Sequence, residues 1–438
     1  MPALGFAGWL TGRPLKDVVR AGKNPKTIAD LRADVSCIAS FLSKVEATRI
    51  AIVTDESYRF IAALYAVLSE GKTAVLLGSR RSVLHGRDAL FDLALVEETE
   101  GSEKEVTLSS LIEKEEAKKL NPVREDAKIL LYTSGSTGRP KAVTKTVSLL
   151  DAEARVTTEL FGANLARTTL ASCVDPAHLY GLTFSIWMPM ALGIPLCGKR
   201  LLSQEDFTRL TGPLAVIATP TFLRYLDTNL PEINAKFLLS AGGKLEESAI
   251  ALAHKAFGCA VSEIYGSTEA GVVGTRRHAV GSVETLWSFC PSVHLKDATN
   301  DVITIRTPLT ESGFFTLEDR LKFTDAEHFT LLGRLDRIVK IGEERISLDE
   351  INSVVKEKLG FSSYAVGIKR SSQCRIGLVI EENKEHPFVR EEIPKYLNTL
   401  RGALPQVALP RFWRVVPRFP TNERGKLDRR KMEALFDD

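Results

Sequence analysis

The 438-residue chain has no excess of charge of either sign, with 58 Lys and Arg against 55 Asp and Glu. That balance removes any electrostatic reason to expect nucleic acid or an anionic membrane as the main partner. Cysteine is scarce: the six thiols at 37, 173, 197, 259, 290 and 374 include no close pair, and several lie in apolar runs. A reduced thiol there packs as a small core residue, so a reducing, cytoplasmic setting is expected. The N-terminus, "MPALGFAGWLTGRPLK", has no basic segment ahead of its apolar stretch and no clear cleavage site, so no secretory signal is expected. Only one uncharged run reaches a membrane-compatible length, residues 179–198. Pro189, Pro195 and three glycines interrupt it, which predicts a buried helix followed by a short strand and no transmembrane segment. Internal repeats and low-complexity linkers are also missing.

A hydrophobic content of 44% is ample for globular packing, and the length suits two domains. Ile28, Leu31, Val35, Ile38, Leu42 and Val45 recur at steps of three and four, one face of a helix. "RIAIVTD", "SYRFIAALYAVLSEG" and "TAVLLG" then read as strand, helix, strand. The alternation resumes with "KILLYT", "TLASCVD", "LAVIATP", "KFLLSAGG", the helical "EESAIALAHKAFG" and "AVSEIYG". This predicts a large α/β domain with mostly parallel sheets, whose ligands sit at the carboxyl ends of the strands. After about residue 333 the texture changes to a small α+β unit. It contains "RIVKI", a helix opened by Ser347 with Glu350 as a capping box, "SYAVGIK", "RIGLVIEE" and a helix near 388–404. The expected domains are therefore 1–332 and 333–438, with the boundary inside "LLGRLDR".

"LLYTSGSTGRPKAVTK", residues 130–145, runs from a strand into small hydroxyl residues, glycines and two cations. Backbone N–H groups and hydroxyls that converge in such a turn bind oxyanions, phosphate above all. The common P-loop spacing is absent, because Pro140 falls where its second glycine should stand. The tract is thus either a phosphate loop of another kind or a surface turn. "EIYGSTEAG", residues 263–271, again ends a strand in a small-residue turn and places Glu269 after a hydroxyl. A carboxylate beside polyphosphate holds Mg²⁺, and elsewhere it is a solvated loop residue. Lys426, in "PTNERGKLDRRKM", is either a point charge delivered to a reacting phosphate or a surface lysine in a basic tail.

Taken together and in this order, the pieces resemble the adenylate-forming superfamily: acyl- and aryl-CoA synthetases, peptide-synthetase adenylation domains and firefly-type luciferases. "YTSGSTGRPKAV" is similar to its phosphate-loop motif, "YGSTE" to its second nucleotide motif, "GRLDRIVKIGEERISLDEI" to its hinge and "RGKLDR" to its catalytic-lysine motif. The resemblance implies a large adenylation domain and a small C-terminal domain joined by a hinge at Asp336. It implies that Thr133, Ser134, Gly135, Ser136, Thr137, Gly138 and Lys141 grip the β- and γ-phosphates of ATP. Gly242, Gly243 and Tyr265 would flank adenine, Thr268 would touch the α-phosphate, and Glu269 would hold Mg²⁺. Asp319 and Arg334 would bond the ribose, and Lys426 would bridge carboxylate and α-phosphate. His178 matches a position near the carboxylate end of the substrate, and the bland alternative for it is a hydrogen-bonded core histidine.

The resemblance implies an ATP-dependent carboxylic acid:thiol ligase, whose acyl-adenylate passes to CoA or to the phosphopantetheine of a carrier protein. Residues 179–198 contain no acidic group to pair with a substrate ammonium, so a fatty or aromatic acid of hydroxybenzoic type is expected rather than an α-amino acid. Residues 411–431 carry eight Arg or Lys against Glu423 and Asp428, which suits the phosphates of CoA or an acidic carrier. The pattern is broken in two places. Leu317-Glu318-Asp319 stands where the family has Thr-Gly-Asp, and the region ahead of the phosphate loop is short for a full-length acyl-CoA synthetase. The first departure motivates an alternative, a non-catalytic nucleotide- or acyl-binding member of the same fold.

Overall fold

The computed structural model of the protein describes residues 3–11, 18–21, 25–77, 88–99, 101–134, 140–299, 302–341, 344–370, 373–421 and 427–437. The chain forms two compact units: Met1–His294 with Arg306–Phe315, and Leu295–Ile305 with Thr316–Asp438.

In the first unit the chain runs through β1 (Val19–Ala21), α1 (Ile28–Leu42), β2 (Arg49–Val53), α2 (Ser57–Ser69), β3 (Thr73–Leu76), β4 (Leu93–Val96) and β5 (Glu105–Thr107). It continues through α3 (Leu108–Lys114), β6 (Lys128–Ser134), β7 (Pro140–Thr146), α4 (Val147–Leu165) and β8 (Thr169–Ser172). β9 (Leu196–Cys197), β10 (Leu214–Ala218), β11 (Ala235–Ala241), α5 (Glu247–Phe257), β12 (Val261–Ser267), β13 (Gly271–His278) and β14 (Trp287–Phe289) follow. α1 begins where the apolar periodicity begins, and Thr27 and Asp30 close it with a reciprocal capping box. Two sheets result. One has the order β5-β4-β2-β3-β6-β7, parallel except for the β6–β7 pair. The other runs β1-β9-β8-β10-β11-β12-β13-β14 and is parallel as far as β12. Such parallel strands need cover on both faces, which explains near-continuous apolar runs such as Leu214–Ala218, buried throughout.

The uncharged run folds as expected into buried helix and then strand, with one addition. Leu179–Gly181 and Met188–Leu192 are α-helical, but Leu182–Trp187 between them is a π-helix. Pro189 contributes to this, since it has no N–H to offer the carbonyl of Ser185 one α-turn back. Gly181 is required there, because a Cβ would lie 2.0 Å from the carbonyl oxygen of Asp175. Among the described residues no helix is long and apolar enough to cross a membrane.

In the second unit β15 (Asp319–Phe323) and β16 (His328–Arg334) form an antiparallel pair. β17 (Ile338–Ile341) pairs with β18 (Glu344–Ser347), and α6 (Leu348–Leu359) follows directly. The hydroxyl of Ser347 accepts the Glu350 N–H, one half of the expected capping box. β19 (Ser363–Arg370), β20 (Gln373–Glu381) and β21 (Phe412–Val416) make a three-stranded sheet. Helix α7 (Ile393–Arg401) is shorter than the 388–404 expected, and α8 (Arg429–Ala434) follows β21. The core of this unit gathers Ile351, Val355, Leu378, Leu400 and Trp413.

Candidate functional site

Lys141 lies on β7 directly across the ladder from Thr133 on β6, so it marks the carboxyl end of β6. Of the expected phosphate loop, Gly135, Ser136, Thr137 and Gly138 lie outside the described residues, as does Lys426. Thr133 and Ser134 are described as strand backbone only. Lys141 reaches away from its own sheet: its Nζ donates to Glu269 Oε1 at 3.0 Å, 128 residues along the chain. The two nucleotide motifs read from the sequence, one on each sheet, thus meet through a cation and a carboxylate.

Glu269 sits just past β12, beside the half-buried Thr268. Burial works against its charge, but the Lys141 bond, its own backbone and the Ser267 hydroxyl outweigh that, and the carboxyl is held below its ordinary value. It is therefore an anion, and the cation it holds here is the Lys141 ammonium. Among the described residues no cluster of three or more His, Cys, Asp or Glu could hold a metal. A single carboxylate fits Mg²⁺ none the less, because that ion takes one or two protein carboxylates and fills its shell with phosphate oxygens and water.

The turn that carries Glu269 is gripped from below by two residues that the sequence reading missed. Lys145, also on β7 and 3% exposed, donates to the carbonyl oxygens of Glu269 at 3.0 Å and Leu309 at 3.2 Å. Glu153 on α4, 2% exposed, accepts the Val272 N–H at 3.0 Å and the Thr183 hydroxyl at 3.2 Å. Burial lowers the pKa of Lys145 and raises that of Glu153, and each is opposed by the other's charge. One signal was available: in a strand, positions 141, 143 and 145 share a face, so a lysine aimed at the site implies a second lysine on that side.

Gly242 and Gly243 follow β11 on the exposed surface, and Gly242 adopts φ +89, which a side chain would resist. Tyr265, half-buried in β12, meets Trp287 edge-on at 6.0 Å. His178 precedes the helical run as its N-cap residue, with its N–H on the carbonyl of Asp175 at 3.3 Å. The run itself presents Tyr180, whose hydroxyl lies 3.0 Å from the carbonyl of Ala218 and 3.1 Å from that of Leu239.

In the second unit, Asp319 and Arg334 stand opposite each other in the β15–β16 ladder. Arg334 forks onto Asp336, with Nε on Oδ1 at 2.8 Å, and also bonds Glu318 at 2.6 Å. Asp336 takes a second guanidinium, Arg429 at 2.9 Å. Burial opposes its charge, but Arg334 and then Arg429 hold the carboxyl below its usual range. The residue in the glycine position of the ribose motif thus occupies the arginine expected to meet the ribose.

A family model described as "AMP-binding enzyme" matches residues 78–303, just over half of the chain. The chain is similar to Apicidin F synthase of Gibberella fujikuroi, 25% identical over 375 residues that cover 70% of this chain and 7% of that protein. It is also similar to a 4-coumarate–CoA ligase of Rhodobacter capsulatus, 28% identical over 247 residues, 55% of this chain and 61% of that protein. The chain therefore spans less than two thirds of the length of either relative. Among solved structures, ATP-bound MatB from Rhodopseudomonas palustris matches with a TM-score of 0.81 at 17% identity, covering 100% of this chain and 99% of that one. At that identity the likeness speaks to the fold, which is that of the adenylate-forming enzymes.

Proposed function

Because the chain belongs to the family of AMP-binding enzymes, the adenylate-forming acid–CoA ligases and peptide-synthetase adenylation domains, we propose that it is an ATP-dependent carboxylic acid:thiol ligase. It would form an acyl-adenylate with release of pyrophosphate, then a thioester with CoA or a carrier-protein phosphopantetheine. The observation that carries this reading is the 3.0 Å contact between Lys141 and Glu269, which joins two phosphate-type turns from separate sheets.

Chemically, a carboxylate must approach an anionic α-phosphate, so the protein's task is positioning and charge compensation. Lys141 draws the β- and γ-phosphates toward the loop Thr133–Gly138, and Thr268 donates to the α-phosphate. Mg²⁺, held by Glu269, would supply further neutralisation of the polyphosphate. Gly242, Gly243 and Tyr265 bound the adenine, while Asp319 and Arg334 take the ribose. Lys426 bridges the acid and the α-phosphate, and His178 orients the acid. In the second half-reaction the small domain from residue 333 swings about Asp336 to withdraw Lys426 and admit the thiol.

The substrate is a fatty or aromatic acid. Residues 179–192 are almost wholly buried and offer no carboxylate to an α-ammonium, which would be costly to leave unpaired. The 4-coumarate–CoA ligase relative supports an aromatic acid, and the nonribosomal peptide synthetases among the similar proteins keep a carrier-protein thiol in play. Six free cysteines accord with a cytoplasmic setting.

Pyrophosphate release should appear with ATP and Mg²⁺ for one class in a panel of fatty, benzoic, hydroxybenzoic and cinnamic acids, with CoA and a phosphopantetheinylated carrier supplied in parallel. Silence across the panel from a folded, ATP-binding sample would favour the second reading, a non-catalytic binder. The Glu318–Arg334 bond is the one observation on that side. Glu318→Ala removes one of the two carboxylates on Arg334, leaving the fork onto Asp336, and should tighten ATP binding by about two- to five-fold in a nucleotide titration, the range of an exposed ion pair. Unchanged affinity would show that Glu318 is not what withholds Arg334 from the ribose.

A further inference from the structure

Lys145 and Glu153 take no part in the chemistry above, yet their polar atoms converge on the turn that carries Glu269. Bringing an ammonium and a carboxylate into the interior costs several kcal/mol for each ion even after relaxation, on the order of what an apolar pair would avoid entirely. Methionine and leucine could fill the same space. What they could not do is aim donors and acceptors at chosen backbone atoms.

Those atoms belong to one short segment. The Glu269 carbonyl is held by Lys145, and its carboxylate by Lys141. The Ala270 N–H is held by the Ser267 hydroxyl at 3.1 Å, and the Val272 N–H by Glu153. Gly271 between them adopts φ +76, and a Cβ there would stand 3.0 Å from Leu309 Cδ1 and 3.2 Å from Glu153 Oε1. The carboxylate thus packs against the glycine, while the carbonyl of Leu309 shares the ammonium of Lys145. The turn is fixed at both ends by buried charges of opposite sign, one from β7 and one from α4.

We propose that Lys145 and Glu153 form a buried clamp that presets the Glu269 turn, and so sets the affinity of the protein for the Mg²⁺–nucleotide complex over metal-free nucleotide. Both are positioning residues. The inference rests on the reading of Glu269 as the metal residue. Partners that orient a metal ligand commonly change metal affinity or activity by about 10–100-fold when removed, and a carboxylate on an unclamped turn loses its aim in the same way.

The test is calorimetric titration of the full chain with ATP, once with Mg²⁺ and once in EDTA, together with hydrogen exchange at residues 269–272. Lys145→Met should weaken binding of Mg²⁺–ATP by about ten-fold and binding of ATP in EDTA by less than about two-fold, the selective loss expected of an outer-shell partner. Glu153→Gln keeps the shape of the side chain and carries the test if Lys145→Met fails to fold. It should shift the same ratio in the same direction, and both variants should speed exchange of the Val272 amide. Equal weakening of both titrations, or no change in either, would overturn the clamp. Glu269→Gln separates the two levels of the argument. If it leaves the advantage of Mg²⁺ intact, the metal assignment fails and the clamp's purpose with it. If it abolishes that advantage while Lys145→Met and Glu153→Gln do not, the clamp alone is wrong.

Discussion

Lys426→Ala should lower acid-dependent pyrophosphate exchange by about 10²–10³-fold, the usual cost of removing one preorganised charge from a developing phosphoryl transition state. Transfer of a supplied acyl-adenylate to the thiol should proceed near the wild-type rate. The asymmetry follows from the charges involved. In the first half-reaction a carboxylate meets a phosphate that is already anionic, and a compact ammonium between them offsets that repulsion as the new bond forms. In the second, the mixed anhydride is attacked by a thiol and no second anion must be brought to the phosphorus. Single-turnover measurement of each half-reaction decides the matter. Equal loss of both would show that Lys426 serves the fold or the thiol step, and the charge-bridging role would pass to another cation of the basic segment 411–431.

Much of the scaffold around these groups was legible because it depends on periodicity and turn chemistry. Five of the six residues on the face from Ile28 to Val45 lie in α1, which ends at Leu42 before Val45, and the short apolar runs mark β2, β10, β11 and β12 to within about two residues. Lys141 and Glu269 could be placed at strand ends because glycine, serine and threonine signal a turn wherever they cluster. Their meeting could not be read, since it depends on how two sheets face each other across 128 positions. The burial of Lys145 and Glu153 was hidden for a different reason, although the period of β7 puts Lys145 on the same face as Lys141. A lysine in "KAVTKT" and a glutamate in "LLDAEAR" look like solvated faces, and only tertiary packing reveals that both are buried. The π-helix at Leu182–Trp187 likewise escapes a reading built on the 3.6-residue period. Glu318 departs from the motif in the sequence itself, but its consequence, a bond to Arg334, depends on the pairing of β15 with β16.

Glu153→Ala should be the most destabilising of the single substitutions considered, at about 3–5 kcal/mol, because it strips a buried cation of its counter-charge. Two further groups lose their acceptor at once, the Val272 N–H and the Thr183 hydroxyl. Urea unfolding followed by tryptophan emission suits the measurement, as Trp9, Trp187 and Trp287 all lie in the first unit. The double variant Lys145→Met/Glu153→Leu removes both charges and refills the space, so most of the lost stability should return. Recovery should stop short of wild type by about 1–3 kcal/mol, the cost of leaving the Val272 N–H and the Thr183 hydroxyl without their acceptor. A Glu153→Ala loss below about 1 kcal/mol would mean that water or another group already compensates Lys145, since an uncompensated buried charge costs several times more. The double variant also separates stability from function. It should fold well and yet bind Mg²⁺–ATP no better than Lys145→Met alone, because apolar side chains can restore packing but cannot hold the Glu269 carbonyl. A double variant that regained metal discrimination along with stability would show that the buried charges matter only for folding.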